Sequence, residues 1–309
     1  MRDGFVELNR RFMRVSPYKD PEMSAFANYL SGLEPGNGWN EVLASRCAVI
    51  LGEAGSGKSW ELEAQAEQLR ANGEAAFFVR LEFLVQRPLK KALDHADIPA
   101  FRKWLKARHQ ATFFLDSVDE ARLTGRHAFH AALQNLALDL LPALHRARVV
   151  VSCRVSEWHW ELDTYELRKQ LRLIDKPTFE NKMGQEQMKM PDTIGPMLDV
   201  YSIIRLDRLR VRLLAKKQGV KDVTGFEEAI DAADAWNYIG RPGDVADFAQ
   251  YWISRGQLGS LTDILEFTIG KRLRETTERD DSLSPKDCRE AVEELAAAAT
   301  FCRSFTFRT

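Results

Sequence analysis

Cysteine is scarce in this sequence, and several other features that mark particular protein classes are missing. The four cysteines among 309 residues lie far apart and form no C-x-x-C pair, which disfavours a disulfide framework and a zinc site. No apolar run approaches the roughly 18–20 residues of a membrane-spanning helix, and the first residues contain no apolar core of signal-peptide length. We therefore expect a cytoplasmic protein with no membrane partner, in which Cys47 and Cys153 are buried strand residues.

An excess of charge of one sign is also missing. Lysine and arginine total 44, aspartate and glutamate total 45, and the net charge is −1, which argues against a strongly basic nucleic-acid coat. The basic run at 205–217 carries leucines at helical spacing, so we favour an amphipathic helix with a solvated basic face over a nucleic-acid stripe. Nucleic acid therefore stays an open alternative among the partners.

Short apolar runs alternate with helical patterns through the middle of the chain. Strands that alternate with helices predict parallel pairing with right-handed crossovers. The fold class that follows is α/β, with a parallel β-sheet flanked by helices. The runs predict strands at 47–51, 75–81, 112–116, 148–154 and 200–206.

The same patterns divide the chain into three parts. Residues 1–45 form an N-terminal lead-in with a short helix at about 21–30. Residues 46–206 form the α/β domain, and the polar stretch at about 161–198 is interpreted as an insertion because it is longer than an ordinary connection. Only helical patterns follow, so residues 207–309 are predicted to form a smaller all-α helical domain.

Residues 52–59 match G-x-x-x-x-G-K-[ST], the phosphate-loop pattern. Glycines let the backbone curl around a phosphate, and curled amides at the start of a helix form an anion nest. Lys58 would reach the β- and γ-phosphates, and the Ser59 hydroxyl would ligate Mg²⁺. Because the pattern lies between a predicted buried strand and a predicted helix, it predicts a P-loop NTPase that binds ATP or GTP. The loop consists of Gly52, Glu53, Ala54, Gly55, Ser56, Gly57, Lys58 and Ser59.

Three carboxylates lie at or just after the end of the predicted strand at 112–116. Asp116 ends the strand, and an aspartate at the end of a strand neighbouring the phosphate-loop strand supplies an acid that holds Mg²⁺. Glu120 is our choice for the base that deprotonates the attacking water, and Asp119 is the second choice. For Asp119, a solvated acidic loop that caps the next helix is the alternative interpretation.

The acidic run at 116–120 and the phosphate loop together resemble motifs of NACHT-type NTPases. The run reads D-S-V-D-E, with a small residue directly after the magnesium acid. NACHT proteins belong to the STAND class of signal-transducing NTPases, within the AAA+-like branch of P-loop proteins. The resemblance covers roughly residues 40–250. It implies a nucleotide-controlled switch that often controls oligomerisation in signalling and, in prokaryotes, anti-phage defence.

The resemblance extends to two residues outside these motifs. Arg154 closes the predicted fourth strand, as does the arginine of STAND proteins that senses the γ-phosphate; an ordinary surface arginine is the alternative. Gly240-Arg241-Pro242 resembles their G-x-P motif, whose proline packs near the base, although any sharp loop also uses glycine and proline. Trp60, which follows the phosphate loop, is grouped with the nucleotide-binding residues.

The sequence departs from the STAND pattern in its later part. Many STAND proteins continue into a winged-helix domain whose histidine contacts the nucleotide phosphate, whereas no histidine here lies beyond His159. A region of superhelical repeats and an effector domain are also missing. We therefore expect a truncated chain or the N-terminal part of a longer protein, with its sensor or effector region, or a partner protein, supplied elsewhere.

The leading hypothesis is a Mg-dependent NTPase of low turnover, which converts NTP to NDP and phosphate and forms a homo-oligomer on activation. The alternative is an AAA+-type motor ATPase that acts on DNA or protein, for which the sequence assigns no arginine finger. A small-molecule phosphotransferase is disfavoured because no acceptor pocket is legible in the sequence. A scaffold with an inactive site is disfavoured because Lys58 and the carboxylates are present.

Overall fold

The computed structural model describes residues 6–15, 36–125, 127–173, 197–277 and 284–302. The chain divides into two units: the first comprises Met1–Leu213 with Arg241–Gly243, and the second Leu214–Gly240 with Asp244–Thr309. The expected helix at about 21–30 lies outside the described residues, and so does most of the expected insertion at about 161–198.

The described residues of the first unit form a six-stranded sheet. Its strands are β1 (Phe12–Arg14), β2 (Cys47–Leu51), β3 (Ala75–Arg80), β4 (Ala111–Asp116), β5 (Ala147–Cys153) and β6 (Leu198–Ile203). Their spatial order is β1-β6-β2-β5-β4-β3. The pair β1 and β6 is antiparallel, and every other neighbouring pair is parallel. The predicted α/β class with a parallel sheet is therefore confirmed.

The central strands are buried on both faces, as their continuous apolar sequences predict. All residues of β2 and of β4 are buried. Because side chains alternate along a strand, Val49 packs into the core on one face of the sheet and Ile50 into the core on the other. Cys47 and Cys153 lie in β2 and β5 as buried free thiols, and burial raises the pKa of the Cys47 thiol to about 12.

Helices cover both faces of this sheet. One face carries α1 (Trp39–Val42) and α2 (Lys58–Ala71), whose buried residues join the cluster that contains Ile50. The helices of the opposite cluster are α3 (Leu81–Leu84), α4 (Leu89–Ala92), α5 (Ile98–Lys106), α6 (Val118–Leu123), α7 (Ala128–Asp139) and α8 (Trp160–Gln170). A further helix, α9 (Arg208–Lys217), follows β6 and runs across the boundary of the two ranges.

The described residues of the second unit form helices, as their sequence periodicity predicts. Within it, Phe226 contacts Trp252 and Tyr251 contacts Phe267 through edge-on ring contacts. The Ser284 hydroxyl accepts a hydrogen bond from the Asp287 backbone N–H at 3.1 Å, so serine caps the last helix. The helices are α10 (Val223–Ala232), α11 (Pro242–Arg255), whose first two residues are counted with the first unit, α12 (Leu261–Thr277) and α13 (Pro285–Cys302). None of the described helices is long and apolar enough to cross a membrane.

Two features of the sheet differ from the sequence analysis. The lead-in contributes β1, a three-residue strand that was not predicted because its apolar pattern is too short to stand out. The expectation that Asp116 ends a strand neighbouring the phosphate-loop strand is wrong, because β5 lies between β2 and β4. Periodicity identifies strands but does not order them within a sheet.

Candidate functional site

The loop between β2 and α2 has the backbone conformation that its glycines predict. Gly55 and Gly57 have positive φ angles of 74° and 86°, a backbone conformation that residues other than glycine rarely adopt. The Ser56 N–H donates to the Glu53 carbonyl at 3.2 Å, which closes the turn. Gly52 has no room for a side chain, since a Cβ there would lie 2.5 Å from Ile203 Cγ2.

Lys58 is the first residue of α2 and folds back over the loop. Its Nζ donates to the carbonyls of Gly52 at 2.7 Å and Glu53 at 3.1 Å. Burial lowers the pKa of Lys58, and the carboxylates of Asp119 and Asp116 act in the opposite direction. The phosphate-loop lysine and the two predicted site acids therefore lie within electrostatic range of one another.

Asp116 is held at the end of β4 by a serine of the neighbouring strand. The Ser152 hydroxyl, on β5, donates to Asp116 Oδ1 at 2.6 Å and accepts the Ser117 N–H at 2.9 Å. Ser117 has a left-handed backbone, with φ 63°, which ends the strand sharply and starts α6. Asp116 is only 4% exposed. The hydrogen bond that fixes this carboxylate therefore comes from a neutral hydroxyl.

The two acids on α6 have different surroundings. Asp119 pairs with Arg154 just after β5, where Arg154 Nε lies 2.7 Å from Asp119 Oδ2. Glu120 lies mostly at the surface; the partial desolvation of its carboxyl group and the nearby charges of Asp116 and Asp119 raise its pKa. Asp119 is therefore engaged by a cation, whereas Glu120 has the raised basicity that suits a proton acceptor.

A half-buried arginine, Arg122, which sequence reasoning missed, fixes the far end of α6. The Arg122 guanidinium bonds the Glu157 carbonyl and the Asp163 carboxylate and lies over the Phe129 ring, 5.5 Å from its centroid. Asp163 also accepts the His159 N–H at 2.8 Å. This arrangement ties α6, which carries the acids, to the segment that follows β5.

Pro242 and its neighbours also contact the phosphate loop. The Gly243 N–H donates to the Gly55 carbonyl at 3.0 Å, and Arg241 Nη1 donates to the Ala54 carbonyl at 3.3 Å. A Cβ built on Gly57 would lie 3.2 Å from Pro242 Cγ, so the proline ring packs against the loop. Residues 241–243 belong to the first unit.

The remaining predicted residues lie at the surface of the loop and the first turn of α2. Glu53, Ala54 and Ser59 are exposed. The Trp60 side chain is 47% exposed. The structure thus brings Lys58 together with the acids, and leaves Ser59 and Trp60 open to solvent.

Arg10, near the start of the chain, is a second residue that sequence reasoning missed, and it contacts the phosphate loop. Its Nη1 donates to the Ser56 carbonyl at 3.0 Å and its Nη2 to the Ile204 carbonyl at 2.8 Å. The available signal was alternation, because Leu8, Arg10 and Phe12 are spaced two residues apart. All three are buried, with Arg10 2% exposed.

No family model matches the chain, and no curated protein matches it. Among solved structures, the replication initiator DnaA bound to AMPPCP and single-stranded DNA is 18% identical, with a TM-score of 0.41, over 85% of this chain and 72% of that chain. Domain III of DnaA from Thermotoga maritima is 14% identical, with a TM-score of 0.37, over 82% and 92%. AMPPCP-bound DnaA from Aquifex aeolicus is 14% identical, with a TM-score of 0.32, over 92% and 96%. Similarity this low does not assign a function to this chain. A proposed function therefore rests on the residues of its own site.

Proposed function

We propose that this chain is a Mg-dependent NTPase of low turnover that acts as a nucleotide-controlled switch. The observation that carries the proposal is the grouping of a glycine loop and Lys58 with Asp116, Asp119 and Arg154 at the carboxyl ends of β2, β4 and β5. Ligands of open α/β sheets bind at that edge. Cation, carboxylates and curled amides together are the groups that phosphoryl transfer requires.

The loop suits a bound phosphate for three physical reasons. Positive φ angles at Gly55 and Gly57 are compatible with amides that converge on an anion. The loop leads directly into α2, a fourteen-residue helix whose N-terminal dipole favours negative charge. The Ser56 hydroxyl is buried without a hydrogen-bond partner among the described residues, and a buried donor of this kind needs one.

Ser59 and Asp116 are the residues that would hold magnesium. A bound Mg²⁺ neutralises phosphate charge, and it takes one or two carboxylates along with substrate phosphates and water. The buried Asp116 carboxylate, held in place by the neutral hydroxyl of Ser152, fits that ligand type.

Glu120 is the residue that we assign as general base. In hydrolysis, a water oxygen forms a bond to the γ-phosphorus, the bond from that phosphorus to the β–γ bridging oxygen breaks, and the water proton passes to the base. The raised pKa of Glu120 favours that role, whereas Asp119 is engaged by Arg154.

The switch follows from competition for Arg154. Its guanidinium pairs with Asp119, and a γ-phosphate is a second anion that it can bind through charge-assisted hydrogen bonds. With a triphosphate bound, Arg154 can contact the γ-phosphate; with a diphosphate bound, it pairs with Asp119. This difference in contacts between the two nucleotide states is what a switch needs.

A STAND or NACHT subclass, ATP over GTP, oligomerisation on activation and a signalling or anti-phage role belong to this proposal. The packing of Pro242 against the loop supports a nucleotide-sensing role for that residue.

Binding and turnover of ATP and GTP, each with and without Mg²⁺, test this function. We expect Glu120→Gln to bind nucleotide like the wild type but to lose turnover, and Asp116→Ala to lose the magnesium dependence of binding. The control is Lys106→Ala, an exposed lysine on α5, which should change neither. Loss of binding in Glu120→Gln would remove that residue from the catalytic role. Single-turnover behaviour with tight product retention would support the switch, and steady turnover stimulated by DNA would instead indicate the AAA+-type motor.

A further inference from the structure

The two hydrogen bonds of Arg10 connect parts of the chain that are distant in sequence. Ser56 belongs to the phosphate loop and Ile204 directly follows β6, so one side chain from the segment before β1 joins both. A guanidinium is suited to this task because its donors are held in a rigid planar fork. Burial lowers the pKa of Arg10 to about 10, with Glu61 acting in the opposite direction, so the side chain is charged at neutral pH.

The contact with Ser56 fixes more than one carbonyl. The Ser56 carbonyl and the Gly57 N–H belong to the same peptide unit, which is planar and trans. In a trans peptide the C=O and the N–H point in opposite directions. Because Arg10 holds the carbonyl on one side, it also orients the Gly57 N–H toward the other side.

We propose that Arg10 is a positioning residue for phosphate binding, which fixes the Ser56–Gly57 peptide unit so that the Gly57 N–H faces a bound phosphate. The inference rests on the proposed function, and it adds a residue outside the phosphate-loop pattern. Backbone N–H groups of such loops cradle the α- and β-phosphates. Arg10 acts through Ser56 and needs no contact with the nucleotide.

Two further observations support this assignment. Gly57 is enclosed, since a Cβ there would lie 3.2 Å from Pro242 Cγ and 3.8 Å from Arg10 Nη1. The segment that carries Arg10 is itself anchored, because Arg210 donates from Nε to the Leu8 carbonyl and from Nη2 to the Asn9 carbonyl, both at 2.7 Å. The Arg10 guanidinium is therefore carried by an anchored backbone segment and contacts the enclosed Ser56–Gly57 peptide.

The test is Arg10→Met, compared with the wild type for binding of ADP and GDP and of the matched monophosphates AMP and GMP. Calorimetric titration gives the affinities, and thermal denaturation without ligand gives the stability. We expect the affinity for the diphosphate to fall about tenfold, which corresponds to the loss of one charge-assisted hydrogen bond, that from the Gly57 N–H to the phosphate. Affinity for the monophosphate should fall less, so the diphosphate preference should shrink. A merely structural role would lower the stability and leave that preference unchanged.

Arg46→Met is the matched control. Arg46 also joins two distant carbonyls, those of Leu144 and Leu171, but neither belongs to the phosphate loop. This variant should lower the melting temperature and keep the wild-type diphosphate preference. If Arg10→Met fails to fold, Arg10→Lys retains the charge without the fork, and it should reduce the diphosphate preference by a smaller factor.

The outcomes separate the inference from the function on which it rests. A wild type that binds neither diphosphate overturns both. If the wild type binds one of them and the Arg10→Met or Arg10→Lys variant has the same diphosphate preference as the wild type, only the role of Arg10 is overturned.

Discussion

Two aspartates of the same sheet, Asp116 and Asp199, are almost equally buried but have different partners. Asp116 is 4% exposed at the end of β4 and Asp199 is 3% exposed in β6. Asp199 accepts from the Ser45 hydroxyl at 2.5 Å and also pairs with Arg14, so a cation compensates its charge. Asp116 accepts from the neutral Ser152 hydroxyl.

The difference bears on the metal-binding role that we propose for Asp116. A buried carboxylate normally needs a cationic partner or several donors to offset its desolvation. Asp199 has such a partner and serves the fold. In the proposed function the charge of Asp116 binds a ligand, and Lys58 lies close enough for that charge to oppose the lowering of its pKa by burial. The serine holds its position without neutralising it.

The largest expected effect comes from removing each charge in turn. Asp116→Asn should lower NTP hydrolysis by roughly a hundredfold or more, because the metal ion that Asp116 would hold supplies several kcal/mol of transition-state stabilisation. Asparagine keeps an acceptor for the Ser152 hydroxyl, so the free energy of unfolding should change by less than about 1 kcal/mol. Asp199→Asn should reverse this pattern. It should cost about 1–2 kcal/mol of stability and leave turnover per folded molecule unchanged. Urea denaturation and phosphate release measure the two quantities, and equal loss of turnover in both variants would contradict the comparison.

The serines that bind the two aspartates, Ser152 and Ser45, allow the same comparison with smaller expected effects. Ser152→Ala leaves both Asp116 and the buried Ser117 N–H without their partner, so turnover should fall about tenfold and stability by about 1 kcal/mol. Ser45→Ala should cost a similar free energy of unfolding and leave the turnover of folded protein intact. Turnover that is unchanged in Ser152→Ala would mean that the hydroxyl does not position the carboxylate.

The smallest expected effect is a shift in pH dependence at Glu120. The base must be ionised, and its pKa is raised above 4.5 by burial and by the charges of Asp116 and Asp119. Hydrolysis should therefore fall as the pH falls through a value above 4.5. Asp116→Asn removes one of those charges and should move the acid limb of its residual turnover to lower pH. An acid limb that stays in place would argue against Glu120 as the base.

Much of the fold was predictable because its signals are local. Continuous apolar runs gave the parallel strands, and the loop between β2 and α2 could be read from its glycines and Lys58. Strand order is not readable from a sequence, so the expectation that β4 neighbours β2 is wrong, and nothing in the sequence links Ser152 to Asp116. Arg10 and Arg122 were also missed, because their partners are carbonyls and a carboxylate that lie far away along the chain.

The most direct measurement of the central claim is calorimetric titration of Mg·ATP and Mg·GTP into the wild type and into Lys58→Ala. The wild type should bind at least one of the two nucleotides saturably. The affinity should fall about tenfold or more in Lys58→Ala, because Lys58 supplies the charge that reaches the phosphates. Equal affinity in the two proteins, with Lys58→Ala as stable as the wild type, would contradict that claim.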